Sequence, residues 1–220
     1  MNVTDQPLAI FPDLMRGKKI MYVHGFCSSA FPEGGTIARL KSAFPHATVV
    51  AEDIPLHPKE GLPMLQEMAA REQPDLIVGS SMGGMYAELL KGFDRILINP
   101  AFRMGDTMQE HGFMGPQTYF KPRQDGVQHF IVTEELVQAY RDLTAQCFQN
   151  ITPEEQRRVF GLFGEQDPLV HTWDLFCAHY PQAVRCQGGH QLDEFMFLHG
   201  MLPMIREIAA RQEAVPPVGQ

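Results

Sequence analysis

Long apolar runs are missing from this 220-residue chain, and none approaches the ~18 residues that a membrane-spanning helix needs. The opening stretch MNVTDQPLAIFPDLMRGKK has no basic segment followed by an apolar one, so it predicts no secretory leader. Basic residues are scarce. Lys and Arg number 18 against 26 Asp and Glu, a net charge of -8. Phosphates need basic surface, so nucleic acid and anionic membrane are disfavoured as partners. The four cysteines, Cys27, Cys147, Cys177 and Cys186, form neither CxxC nor a zinc spacing. They predict reduced thiols in a cytoplasmic protein. Internal repeats, low-complexity tracts and a Gly-Lys-Ser/Thr phosphate loop are absent too, and nothing in the chain calls for a metal or cofactor.

The composition that remains, 44% hydrophobic and 20% charged, suits one soluble domain with a sizeable core. Short β-branched-rich runs recur at Ile20–Val23, Thr48–Ala51, Leu76–Val78, Ile96–Ile98, Val159–Phe163 and Ala183–Cys186. Several are apolar throughout, as strands covered on both faces must be. Helix-like segments lie between and after them, at about 34–44, 62–72, 83–91, 172–180 and 193–211. This alternation predicts an α/β fold, a mostly parallel sheet flanked by helices on both faces.

The rhythm breaks once. Residues 101–158 read as an insertion or helical cap over the C-terminal edge of the sheet, without strands of its own. Its first part, RMGDTMQEHGFMGPQTYFKPRQDG, reads as loop. Two helices follow, one capped by Thr133 and one opened by the capping box Thr152-Pro153-Glu154-Glu155. The tail EAVPPVGQ is expected to fray.

The stretch LIVGSSMGGMY, Leu76 to Tyr86, ends an apolar run in two adjacent serines among glycines. Gly79-Ser80-Ser81-Met82-Gly83 fits G-x-S-x-G between a strand and a helix, the setting of a nucleophile elbow. A serine in so tight a turn needs neighbours without a Cβ two residues before and after it. Centred on Ser81 those neighbours are Gly79 and Gly83; centred on Ser80 they are Val78 and Met82, which would clash. Ser81 is therefore the candidate nucleophile. Ser80 is expected to point the other way, and Gly84 to let the helix pack closely on the strand.

A serine hydroxyl needs a histidine to take its proton and a carboxylate to hold that histidine. VFGLFGEQDPLV ends a strand and places Asp167 in the following loop, with Glu165 as a reserve acid. AVRCQGGHQLDEF ends the next strand and places His190 in its loop, ahead of Asp193 and Glu194 at the last helix. Both loops fall at the same sheet edge as Ser81. The oxyanion would take the N–H groups of Met82 and Phe26, with Cys27 as the alternative to Phe26. His24 is expected to hold its loop by hydrogen bonds. Cys27, Met85, Phe102 and Met104 are candidates to line the substrate pocket, as are Met108 and Met114. Ordinary core packing is an equal reading for the apolar ones.

Together, MYVHGFCSSA, DIPLHP, LIVGSSMGGMYAELL, ILINPAFRM and GGHQLDEF resemble the small YqiA-like esterases of the α/β-hydrolase superfamily. The resemblance covers about 19–103 and resumes from about 161 to 208. It implies an α/β-hydrolase fold, a Ser81–Asp167–His190 triad, and Phe26 and Met82 as oxyanion donors. The expected activity is a carboxylesterase or thioesterase acting on a small-molecule acyl substrate. Alternatives with the same triad are an amidase, a C–C bond hydrolase or a lyase; a silent binding protein on the same fold is the alternative without chemistry.

Overall fold

The computed structural model describes residues 9–214; the expectations for residues 1–8 and 215–220 lie outside it. In chain order the strands are β1 (Lys19–Val23), β2 (Thr48–Val50), β3 (Leu76–Ser80), β4 (Arg95–Ile98), β5 (Gly115–Thr118), β6 (His129–Val132), β7 (Val159–Gly164) and β8 (Ala183–Cys186). Six of them form one sheet in the order β2-β1-β3-β4-β7-β8, and every pairing in it is parallel. β3 thus lies inside the sheet, between β1 and β4, with Val23 opposite Gly79 and Ser80 opposite Ile98.

The apolar runs work on both faces at once. Met21, Val23, Ile77, Leu97 and Phe163 point into one core, while Ile20, Tyr22, Val78, Ile98 and Leu162 point into the other. This is the period-two alternation of a strand with apolar residues at every position. The helices α1 (Gly35–Ala43), α2 (Pro58–Glu72) and α3 (Met82–Leu89) follow β1, β2 and β3. Next come α4 (Met104–Glu110), α5 (Glu134–Thr144), α6 (Pro153–Arg158) and α7 (Trp173–Cys177). The last segment is α8 (Glu194–Met196), a π turn at Phe197–Met201, and α9 (Leu202–Ala214). α9 therefore takes in Glu213 and Ala214 of the tail expected to fray. Ile37 and Leu40 of α1 join Ile205 and Ile208 of α9 on one face; α2, α3, α5 and α7 cover the other.

The stretch between β4 and β7 departs from expectation. Arg103–Gly126, expected as loop, contains α4 and β5, and β5 pairs antiparallel with β6. β5 reads GPQT, which has no strand propensity of its own; it is a strand because β6 (HFIV) offers it a partner. α4 is only seven residues long and is held from outside. Arg141 of α5 donates to Asp106 at 2.9 Å, and Gly105 sits so close that an added Cβ would lie 2.7 Å from the Val137 carbonyl oxygen.

The expected caps form, one of them differently. Thr133 accepts from the Leu136 N–H and Thr152 from that of Glu155, both at 3.2 Å. Glu155 does not reach back to complete a capping box. Its carboxylate accepts the Gly92 N–H at 2.9 Å and pairs with the fully buried Arg95. An unpaired buried guanidinium costs far more than an unfinished cap.

Candidate active site

Ser81 closes β3 and precedes α3 with φ 56° and ψ -118°, a conformation that a side-chain-bearing residue rarely adopts. The turn is locked by backbone bonds: the Ser81 N–H donates to Ile98 at 2.9 Å, and its carbonyl accepts from Gly84, Met85 and Ala101. The glycines have separate causes. A Cβ on Gly79 would fall 2.3 Å from the Gly83 oxygen, and one on Gly83 would fall 2.0 Å from the Val23 oxygen. A Cβ on Gly84 would meet Pro100 Cβ at 2.9 Å and the Gly79 oxygen at 3.3 Å, so Gly84 makes room for the turn after β4 as well as for β3.

Asp167 and His190 are brought together from the loops after β7 and β8. His190 Nδ1 lies 2.8 Å from Asp167 Oδ2. The other carboxylate oxygen, Oδ1, accepts the N–H groups of Leu169 at 2.8 Å and Val170 at 3.2 Å, which fixes the carboxylate. With Oδ2 accepting, Nδ1 is the protonated nitrogen of the neutral ring and Nε2 carries the lone pair. Glu165, the reserve acid, is solvent-exposed, and its N–H continues the β7–β8 ladder by donating to Cys186. Asp193 caps α8 through the Met196 N–H at 2.8 Å, as expected, while Glu194 pairs with Arg39 at 2.7 Å.

The two loops approach because Gly164 has no side chain; a Cβ there would lie 2.3 Å from the Gly189 oxygen. Asn99, to which the sequence reading gave no role, ties them to β4. Its Nδ2 donates to the carbonyls of Gly189 and His190 at 3.0 and 2.9 Å, and its Oδ1 accepts the Gly164 N–H at 2.8 Å. Asn99 is buried and has φ 43°. An asparagine directly before Pro100 at a strand end was the available signal, because Asn tolerates this left-handed backbone better than most residues.

On the other side of Ser81 runs the loop after β1. His24 is buried and holds it as expected: Nδ1 lies 2.9 Å from the Gly25 carbonyl, and Nε2 accepts the Ile54 N–H at 3.0 Å. Gly25 lets the loop close in, since a Cβ there would sit 3.3 Å from the Ser80 carbonyl oxygen. Among the described residues, the Phe26 and Met82 N–H groups donate to no carbonyl or side chain.

Ser81 and His190 line one cavity of about 280 Å³, together with Phe26, Met104, Phe113 and Val170. The Ser81 hydroxyl and the imidazole share this space without a hydrogen bond between them among the described residues. Such bonds often tighten only when substrate binds. Of the other pocket candidates, Cys27, Met85 and Phe102 do not line the cavity and are buried in the core. Burial also pushes the Cys27 thiol up to about 11, which makes it a poor nucleophile. Met108 is core as well, and Met114 packs against that core. Ser80, expected to point away, also lines the cavity. Strand alternation puts it on the same face as Val78, which is registered with Tyr22.

Among the described residues, no cluster of His, Cys, Asp and Glu could hold a metal ion, and no helix is long and apolar enough to cross a membrane. No curated protein matches the chain in sequence. Solved structures do match in fold. The monoacylglycerol lipase of Paleococcus ferrophilus is 14% identical with a TM-score of 0.59, covering 92% of this chain and 96% of that one. Est1E from Butyrivibrio proteoclasticus is 16% identical with a TM-score of 0.56, covering 92% and 91%. The α/β hydrolase GrgF from Penicillium sp. sh18 is 14% identical with a TM-score of 0.57, covering 91% and 93%. This likeness, with the parallel sheet and its flanking helices, makes the fold that of the α/β hydrolases. The model of the uncharacterised protein family UPF0227 matches residues 19–199, and the chain belongs to that family, the YqiA-like one that its motifs resemble.

Proposed function

We propose that the protein is a serine hydrolase that cleaves carboxylic esters or thioesters through an acyl-enzyme. Ser81 Oγ attacks the carbonyl carbon while His190 Nε2 takes its proton. Asp167 holds the ring in the required tautomer and stabilises the imidazolium that forms. The negative charge on the tetrahedral carbonyl oxygen is received by the Met82 and Phe26 N–H groups. The imidazolium then protonates the departing alcohol or thiol. Water repeats the sequence on the acyl-enzyme and releases the acid. Segment 101–158 acts in this reading as a cap, since Met104, Phe113 and Phe120 reach the cavity from it.

One observation carries the proposal. A serine with φ 56° at a strand–helix turn shares a cavity with a histidine whose Nδ1 is 2.8 Å from a buried, otherwise anchored carboxylate. The fold likeness to esterases and lipases agrees with it. A fluorophosphonate probe should add once to the intact protein and not to Ser81→Ala. The loss of ester turnover in Ser81→Ala should equal that in His190→Ala and in the double variant, because the three side chains act as a unit. Labelling that survives in Ser81→Ala, or losses that add, would overturn the assignment.

A further inference from the structure

Apolar residues line the cavity on both sides of Ser81, but a charged side chain enters it from one side alone among the described residues. From the β4 and β7 side come Met104, Phe113, Leu169 and Val170. From the β1 side come Ser28, Ser29 and Thr36 among the apolar Phe26, Phe31 and Ile37, and Lys121 joins them from the segment after β4. No carboxylate lines the cavity among the described residues, although the chain carries eight more acidic than basic side chains. Among the described residues, Lys121 is the only Lys, Arg, Asp or Glu that lines it.

Lys121 is held there. The backbone on either side of it is bonded to the β1 loop: the Phe120 N–H donates to the Cys27 carbonyl and the Ser29 hydroxyl to the Pro122 carbonyl, both at 2.8 Å. Asp53 joins the same two segments by accepting the N–H groups of Ala30 and Gln124. The ammonium lies against Gly35, where an added Cβ would be 2.8 Å from Nζ. Among the described residues it forms no salt bridge, while its neighbour Arg123 is paired with Asp125 and stacked on Tyr119. Gly35 opens α1, whose first turn has no acidic residue and no side-chain cap. A cation beside the positive end of a helix is the wrong way round for stability. An anion between them reverses the sign of that interaction.

We propose that the substrate is an ester or thioester carrying an anionic oxygen group, carboxylate or phosphate, on the arm that lies toward α1, with Lys121 as its counter-ion. The opposite, apolar arm lies toward Phe113, Leu169 and Val170. This rests on the serine hydrolase reading for where the scissile bond sits, but the anion site has a test of its own. Two isosteric pairs serve as probes: a nitrophenyl hemiester of a dicarboxylic acid against the neutral ester of the same length, and a phosphorylated-alcohol ester against its unphosphorylated form. Calorimetric binding to Ser81→Ala needs no turnover. At least one anionic member should bind about tenfold more tightly than its neutral partner, and Lys121→Met should remove that preference while Lys121→Arg keeps it. Which pair responds tells a carboxylate on the acyl arm from a phosphate on the alcohol arm. In protein with intact Ser81, Lys121→Met should lower the anionic-to-neutral ratio of kcat/KM by about the same factor, through KM. Equal binding of both members of both pairs, or a preference that survives in Lys121→Met, overturns the anion site whatever the turnover shows. Selective binding without any Ser81-dependent turnover would instead overturn the hydrolase reading alone.

Discussion

His24 shows how a single buried side chain can carry a pH dependence away from the chemistry. Burial lowers its pKa to about 4; the Gly25 carbonyl and Asp53 oppose the shift, and Arg123 adds to it. Both ring nitrogens are committed, one to the Gly25 carbonyl and one to the Ile54 N–H, so a second ring proton would break the latter bond. In the unfolded chain the ring protonates near its ordinary 6.5. Between those values the unfolded state holds the extra proton, so stability is intact above 6.5 and falls as the pH drops toward 4. The loss is on the order of 3 kcal/mol. Urea midpoints from pH 7 to 4 should fall more steeply for wild type than for His24→Gln; parallel slopes would contradict the role given to His24. At this scale the strained turn at Ser81 was legible from its flanking glycines, one of which clears its own turn and the other the end of β1. The place of Lys121 was not legible, because its partners lie far away along the chain, and Asn99 showed only its backbone setting before Pro100.

Among the elements, β4 has a part in the site that its four residues do not suggest. Asn99, at its end, bonds the loop carrying His190 and the end of β7, after which Asp167 follows. Asn99→Ala should leave the fold intact and lower kcat about 10²-fold, the cost of an imidazole free to shift by about an ångström. A variant with wild-type kcat would show that the β7–β8 ladder positions the loop alone. The four inner sheet strands, β1, β3, β4 and β7, were legible as apolar runs covered on both faces, and the half-exposed edge strands β2 and β8 from their place in the strand–helix alternation. The β5–β6 hairpin was not. GPQT becomes a strand only through the partner that tertiary structure brings to it, and MGDTMQE becomes a helix only against α5.

In the whole molecule, the two cores and the sheet between them sort the thiols by depth. Cys177 is exposed and Cys186 half-buried, while Cys27 and Cys147 are buried. Burial raises the Cys27 thiol to about 11, and burial with the nearby Glu88 carboxylate raises that of Cys147 further. A thiol reagent at pH 8 should modify Cys177 first, and Cys27 and Cys147 only at the rate of unfolding. Modification of Cys27 as fast as Cys177 in native conditions would contradict its place in the core. The overall architecture was legible from the alternation of strands and helices; the cavity was not, because its walls are joined across long stretches of chain.

Those joins have a consequence for synthesis. Ser29 and Pro122 are 93 residues apart, Asp53 and Gln124 are 71 apart, and Asn99 and His190 are 91 apart. A chain emerging from the ribosome can form the Ser81 turn once β4 is out, since Ile98 and Ala101 supply the bonds that lock it. Its loops then wait for residues that do not yet exist. The cavity wall beside Lys121 closes only after Lys121 and Gln124 have emerged, and the imidazole arrives only with His190. Over the 89 residues between Ala101 and His190, a nascent chain thus carries a shaped serine before its proposed base has been made.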